Sequence, residues 1–258
     1  MLTPLIEKLH DTRRFLSARG FIRGHVRRGS SILPASHLRF GGQEFKDDDF
    51  FLSSGRREAE RLIEKCGVTS EGRILDVGCG VGRLPIGVLS YMEKLPQYWG
   101  IDVDSNSISW CMRYIARDQS RFHFERINVH NRRYNPSGES FDNSFHFPYA
   151  DCAFNVIYLY SVFSHMMPGD IKAYLTEFRR LLEPAGRIFF TAFVEEDVPQ
   201  VMENPPGYRM NWSGALHCVR YQKEFFESLV ADAGFEVRMF EYGQETDGQS
   251  GFYLNLAD

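Results

Sequence analysis

Asp76 closes an apolar run, and glycines follow it at positions 78, 80 and 82. A carboxylate at such a corner attracts cations, and residues without side chains let a ligand lie directly against the backbone. A second carboxylate, Asp102, stands 24 positions after Gly78 at the end of another short apolar run. An acidic residue there can take both hydroxyls of a ribose. The loop does not have the dinucleotide spacing G-x-G-x-x-G, because Arg83 holds the sixth position. Asp76 also disfavours a pyrophosphate, since two anions at one helix N-terminus repel each other.

Strands and helices must hold these residues in place. Apolar runs between turn residues predict strands over 73–77, 98–102, 122–128, 154–160, 187–193, 235–242 and 251–256. Helical spacing predicts helices over 84–94, 107–117, 170–182 and 223–233, and an earlier one that Ser53 or Ser54 caps and Gly67 stops. This alternation implies an α/β fold: a doubly wound, mostly parallel seven-stranded sheet with helices on both faces. The last two strands are joined only by GQETDGQS and must pair as a terminal antiparallel hairpin. Ligands of such sheets lie beyond the carboxyl ends of the strands, where Asp76 and Asp102 fall. Residues 2–20 show a rough helical pattern, 24–50 look irregular, and 195–222 lack periodicity. The expected division is an N-terminal helix and flap over 1–52 and a main domain over 53–258, with 195–222 as a lid or acceptor-binding insertion.

The 258 residues suffice for one sizeable core. A net charge of −4 gives no general attraction to nucleic acid or membranes. Residues 1–30 are locally basic, with Lys8, Arg13, Arg14, Arg19, Arg23, Arg27 and Arg28 against Glu7 and Asp11. That is either a solvated helix face or a flap that draws in an anionic substrate. No apolar run approaches the ~20 residues of a membrane helix, and the first residues lack a signal peptide's apolar region. Cys66, Cys79, Cys111, Cys152 and Cys218 show neither a C-x-x-C pair nor metal spacing, so reduced thiols, a cytoplasmic location and no metal are expected.

A ligand with a ribose at one end and a cation at the other suits the two carboxylates, and S-adenosylmethionine has both. The run ILDVGCGVGRL over 74–84, followed by YWGIDVDSNSI over 98–108, resembles the first two motifs of class I S-adenosylmethionine-dependent methyltransferases. The segment 147–193, FPYADCAFNVIYLYSVFSHMMPGDIKAYLTEFRRLLEPAGRIFFTAF, resembles that family's fourth strand, following helix and fifth strand. The resemblance covers about 55–194 and a terminal hairpin. It implies that Asp76, Gly78, Cys79, Gly80 and Gly82 cradle the methionine part and sulfonium, mostly through backbone. It implies that Asp102 holds the ribose hydroxyls and that Val103 lies against adenine. Asn128 stands where the family usually has an aspartate near the adenine amino group; an asparagine carbonyl can still accept that bond. Val129 adds a backbone contact, and Leu159 and Tyr160 line the methionine side. Asn155 replaces a family aspartate whose position is often structural. Plainer readings stay open: a structural glycine turn, Asp102 as a helix cap (although Asp104 and Ser105 are better placed), and Asn128 and Asn131 as loop residues.

Methyl transfer from a sulfonium is an in-line displacement, so the protein mainly positions the acceptor and excludes water. A hydroxyl acceptor needs a base. His165, in SVFSHMMP after the fourth strand, is the candidate; the alternative is a histidine bonded to a loop carbonyl. In 195–222, Tyr208, Trp212, His217 and Tyr221 could wall a pocket for a small acceptor or pack the segment onto the sheet. Tyr149 is a further possible wall. No basic-aromatic array for nucleic acid is visible. The N-P-P-Y/F signature of base methylation is absent after the fourth strand, which ends YLYS, and the NPPGY at 204–208 reads as a turn. The expectation is methylation of a small molecule, at oxygen rather than nitrogen or carbon. The alternatives are an NAD-dependent oxidoreductase with an atypical glycine loop and a non-catalytic cofactor-binding protein.

Overall fold

The computed structural model describes residues 24–140 and 145–257. The expected helix over 2–20 and the basic residues up to Arg23 lie outside the described residues. In chain order the strands are β1 His25–Arg28, β2 Ser31–Pro34, β3 Arg73–Val77, β4 Gln97–Asp102, β5 Phe122–Arg126, β6 Phe154–Leu159, β7 Leu182–Glu195, β8 Val201–Glu203, β9 Val219–Gln222, β10 Phe235–Glu241 and β11 Ser250–Leu256. The α-helices are α1 Asp48–Glu64, α2 Arg83–Tyr91, α3 Ser105–Tyr114, α4 Pro168–Leu181 and α5 Lys223–Asp232. The expected class holds: α/β, with a mostly parallel sheet and a terminal antiparallel hairpin. The chain forms two compact units.

The first unit contains the described part of Met1–Glu71 together with Cys79–Arg126. Its α1 begins earlier than expected, so the 52/53 boundary falls inside a helix. Asp47, not Ser53 or Ser54, is the cap: its carboxylate accepts the Phe50 amide at 2.8 Å, and Asp48 and Asp49 in the first turn suit the positive end of the helix. The two serines instead donate back to the carbonyls of Phe50 and Phe51. The 24–50 stretch is more ordered than its sequence suggests. The β1–β2 hairpin turns at Gly29, with φ +57°. The buried Arg39 donates to the carbonyls of Pro34, Phe45, Lys46 and Asp47 and pairs with Asp48. Helices α1 and α2 meet backbone to backbone, since a Cβ on Gly87 would stand 1.9 Å from the Gly55 carbonyl oxygen. Strands β4 and β5 pair in parallel.

The second unit contains Gly72–Gly78 and Ile127–Asp258. Strands β3, β6 and β7 run parallel, and β11 and β10 continue antiparallel from β7. Strand β7 starts before the expected 187 and is irregular there: the register with β6 moves from Phe154↔Leu182 to Val156↔Arg187. Asn155 is structural, as its Oδ1 accepts the Arg73 amide at 2.7 Å. The core is aromatic: Phe190 contacts Phe163, Phe226 and Phe252 with ring centroids 4.9, 5.6 and 5.0 Å apart. The 195–222 segment contains two short strands that its sequence did not reveal. Strand β9 pairs in parallel with the last residues of β7, and β8 pairs antiparallel with β9.

Candidate functional site

In the first unit the glycine loop is bonded to the end of β4. The Cys79 amide donates to the Ile101 carbonyl at 3.1 Å, and the Gly80 amide donates to Asp102 Oδ2 at 2.8 Å. Asp102 Oδ1 accepts the Asp104 amide at 2.8 Å. The cap of α3 is Asp104, which accepts the Ser107 amide at 3.0 Å. The buried Cys79 lies beside Gly100, where a Cβ would come 3.0 Å from its sulfur. Gly80 and Gly82 have φ of +52° and +79°. A Cβ on Gly82 would collide with Ile115 at 2.6 Å, whereas among the described residues one on Gly80 would meet only the Phe40 ring, at 3.5 Å. Gly80 therefore borders a space that a side chain would fill, with Phe40 at its edge. Phe40 is 38% exposed, a large apolar side chain that the sequence did not single out. Val103 is part-buried, and its carbonyl accepts from Arg126 at 3.1 Å. Of the basic flap residues, Arg28 pairs with Asp48 at 2.9 Å.

In the second unit Asp76 is buried at 3% exposure, within β3, and Gly78 follows with φ +77°. A Cβ on Gly78 would strike Val162 at 2.5 Å. Asn128 and Asn131 take part in the bonding of a closed loop over 128–139. Asn128 donates to Glu139 and accepts from Asn135, both at 3.2 Å. The Val129 carbonyl also accepts from Asn135, at 2.9 Å. Leu159 is fully buried at the end of β6, and the Tyr160 hydroxyl meets Thr246 Oγ1 at 2.8 Å. A polar network beyond β6 and β7 links the Ser161 amide to Thr191, Thr191 to Gln249, and Gln249 back to the Ser161 hydroxyl. It fixes the turn that carries His165, and nothing local in the sequence marked it.

His165 Nδ1 lies 2.9 Å from the Leu216 carbonyl oxygen. Two lone pairs would repel there, so Nδ1 carries the hydrogen and Nε2 the lone pair. Burial pushes the ring's pKa down to about 4, outweighing the backbone bonds to Leu216 and His217 that favour the charged ring, and the charge of Arg133 adds to the lowering. Part of the ring surface remains open, but the direction is clear: His165 is neutral at pH 7. Tyr208, Trp212 and His217 do come together, around Phe193 of β7. Phe193 lies edge-on to Tyr208 at 5.8 Å and to Trp212 at 5.4 Å, and Trp212 is edge-on to His217 at 5.2 Å. The Tyr208 hydroxyl donates to Glu195 at 2.7 Å. Tyr221 is wholly buried in the core against Phe226, and the part-buried Tyr149 is edge-on to Phe154.

Residues 51–239 match the family described as a methyltransferase domain. The chain belongs to that family. This methyltransferase is 31% identical over 142 residues to methyltransferase GfsG of Streptomyces halstedii, a match that covers 54% of the chain and 44% of that protein. The chain therefore spans under half the length of that relative. Its fold is similar to that of the [4+2]-cyclase SpnF, with a TM-score of 0.55 and 19% identity, covering 90% of this chain and 71% of that one. The Burkholderia thailandensis 1,6-didemethyltoxoflavin-N1-methyltransferase, solved with 1,6-didemethyltoxoflavin and S-adenosylhomocysteine bound, is similar in fold at a TM-score of 0.54 and 14% identity, with 82% of each chain covered. S-adenosylmethionine is the cofactor of this methyltransferase domain. The residues present suit it: a bare backbone at Gly80, and at the end of β4 a carboxylate, Asp102, bonded to the same loop. No described helix is long and apolar enough to cross a membrane.

Proposed function

We propose that this methyltransferase acts on a small molecule and transfers the methyl group to oxygen rather than to nitrogen or carbon. The observation that carries this reading is the tautomer of His165. With Nδ1–H held by Leu216, Nε2 is an acceptor able to take a proton from a hydroxyl. A neutral amine acceptor would not call for such a group. Because burial lowers the basicity of His165, the proton moves to Nε2 as the methyl group bonds to oxygen, not beforehand.

S-adenosylmethionine supplies a methyl group already activated on a sulfonium. The chain's own residues bind and orient. Asp76 offsets positive charge, the backbone at Gly78, Cys79, Gly80 and Gly82 admits the methionine part, and Asp102 receives the ribose hydroxyls. Val103, Asn128 and Val129 border the adenine, and Leu159 and Tyr160 line the methionine side. Phe40 adds an aromatic edge beside Gly80. The 1–52 segment acts as a flap. The 195–222 segment acts as a lid, and Tyr208, Trp212 and His217 face an acceptor small enough for one aromatic pocket. The toxoflavin methyltransferase supports a small-molecule acceptor by analogy. A second reading is cofactor binding without methyl transfer, favoured by the likeness to a [4+2]-cyclase. Calorimetric titration with S-adenosylmethionine, S-adenosylhomocysteine and NADH tests the donor side. Micromolar binding of both adenosyl ligands and none of NADH is expected; NADH binding alone would overturn the reading. Turnover of S-adenosylmethionine to S-adenosylhomocysteine with a panel of hydroxylated acceptors separates the two readings.

A further inference from the structure

Two adjacent arginines on the 128–139 loop have different surroundings. The loop is stiff: Asn131 Oδ1 accepts the amides of Arg133 and Tyr134 at 2.9 and 3.0 Å, and Asn131 Nδ2 donates to the His165 carbonyl at 3.1 Å. Arg132 makes a two-pronged ion pair with Glu203 of β8, at 3.1 and 3.3 Å. Arg133 has no ion pair or side-chain hydrogen bond among the described residues. Its Nε is buried without a partner, and its guanidinium lies over the Tyr134 ring at 5.5 Å. Only Nε is shut off from water, and a buried N–H left unbonded is costly, so the part-exposed fork of Arg133 is set to meet an acceptor of its hydrogen bonds.

The corner that Arg133 occupies is the one that holds His165. Tyr134 is edge-on to His165 at 5.5 Å. A Cβ on Gly214 would stand 3.6 Å from Arg133 Nη1, and two residues further on Leu216 holds His165 Nδ1. The carboxylates of the neighbouring elements are engaged elsewhere. Glu203 serves Arg132 and the Leu216 amide, and Asp170 accepts the Met167 amide. His217 is bonded to Ser213.

We propose that Arg133 receives an oxyanion of the acceptor, a carboxylate or a phosphate, and so fixes the acceptor beside His165. The proposal rests on the methyltransferase reading and names the acceptor class within it. A guanidinium presents a planar fork of donors that matches such a group in two-pronged fashion, and the Tyr134 ring sets the plane of the fork. Docking has a chemical consequence. Arg133 helps hold His165 below its ordinary basicity, so an anion that neutralises Arg133 raises the basicity of Nε2 when an acceptor is present.

The test uses the full chain loaded with S-adenosylhomocysteine and titrated with benzoate, phenyl phosphate and benzamide, followed by NMR at the Arg133 side chain and the His165 ring. The expected result is saturable binding of at least one of the two oxyanions and none of benzamide. Arg133→Gln abolishes it, Arg133→Lys weakens it, and Lys172→Gln, which removes a charge from exposed α4 surface, leaves it unchanged. The His165 pKa rises in the bound state. Preference for benzoate or for phenyl phosphate identifies the group. Equal binding of benzamide, oxyanion binding that survives Arg133→Gln, or no oxyanion binding overturns the proposal. Loss of S-adenosylhomocysteine affinity in Arg133→Gln also overturns it, by assigning Arg133 to the cofactor's own carboxylate. If the wild-type protein does not bind S-adenosylhomocysteine at all, the methyltransferase reading fails first.

Discussion

The carboxylate of Asp102 accepts the backbone amide of Gly80 at 2.8 Å, so the second acid of the pattern orders the glycine loop; in the proposed reading it also receives a ribose. Asp102→Ala removes both functions, whereas Asp102→Asn keeps an acceptor for Gly80 and loses the charge. Hydrogen bonds to a charged group are worth about 1.5–3 kcal/mol, so Asp102→Ala weakens S-adenosylhomocysteine binding by roughly tenfold to a hundredfold, with Asp102→Asn in between. Calorimetry decides. Wild-type affinity in the alanine variant would remove Asp102 from the cofactor site.

The loop also depends on how closely α2 lies against α1. Gly87→Ala places a methyl group 1.9 Å from the Gly55 carbonyl oxygen, and neither backbone can yield without moving a helix. Overpacking of this kind costs about 1–3 kcal/mol. The denaturant midpoint drops accordingly, and affinity for the cofactor drops with it because Gly82 leads directly into α2. An alanine variant with an unchanged midpoint would contradict the close helix contact.

His165 gives stability a pH dependence. Its folded pKa, about 4, lies below the unfolded value near 6.5, so the unfolded chain binds the extra proton first. The stability contributed by neutral His165 is fully present above pH 6.5 and is lost as pH falls towards 4. His165→Asn keeps a donor for the Leu216 carbonyl and cannot titrate. Urea melts of the two proteins should therefore diverge at pH 7 and converge near pH 5. Parallel curves across that range would show that the ring titrates normally.

Glu195 collects donors at the end of β7, from Tyr208, Arg209 and Tyr242. Burial alone would raise its pKa, but these three donors outweigh burial and hold the carboxyl below its usual value. Tyr208→Phe removes one donor and the anchor of the 204–212 stretch. The expected cost is about 1 kcal/mol, together with faster amide exchange in that stretch. Exchange rates indistinguishable from wild type would mean that the Phe193 ring contacts alone hold the segment.

What the sequence conveyed followed the reach of its signals. The glycine loop, Asp102 and the strands beneath them were legible because a turn, a period of two and a short apolar run are local properties. Asp104 as the cap of α3 was legible for the same reason. The cap of α1 was misplaced because three successive aspartates precede it, and the bond from Phe50 to Asp47 decides among them. The partner of His165 lies 51 residues away, and β9 is recognisable only by what it pairs with. Arg133 was hidden by resemblance to its neighbour: two arginines in one loop read alike until Glu203, 71 residues beyond Arg132, takes one and leaves the other.

The bond between Arg132 and Glu203 sets a rule for transplanting acceptor preference between proteins of this fold. The 195–222 segment cannot be exchanged alone. Its removal leaves Arg132 without its carboxylate and His165 without the carbonyl that sets its tautomer. A chimera that imports the segment together with the 128–139 loop keeps the Arg132–Glu203 pair within the donor parent, and the recipient's His165 then needs only the backbone carbonyl at Leu216, which any imported residue supplies. The smallest exchangeable part of this unit is thus a pair of segments distant along the chain, and a recombination breakpoint anywhere from 140 to 194 separates them.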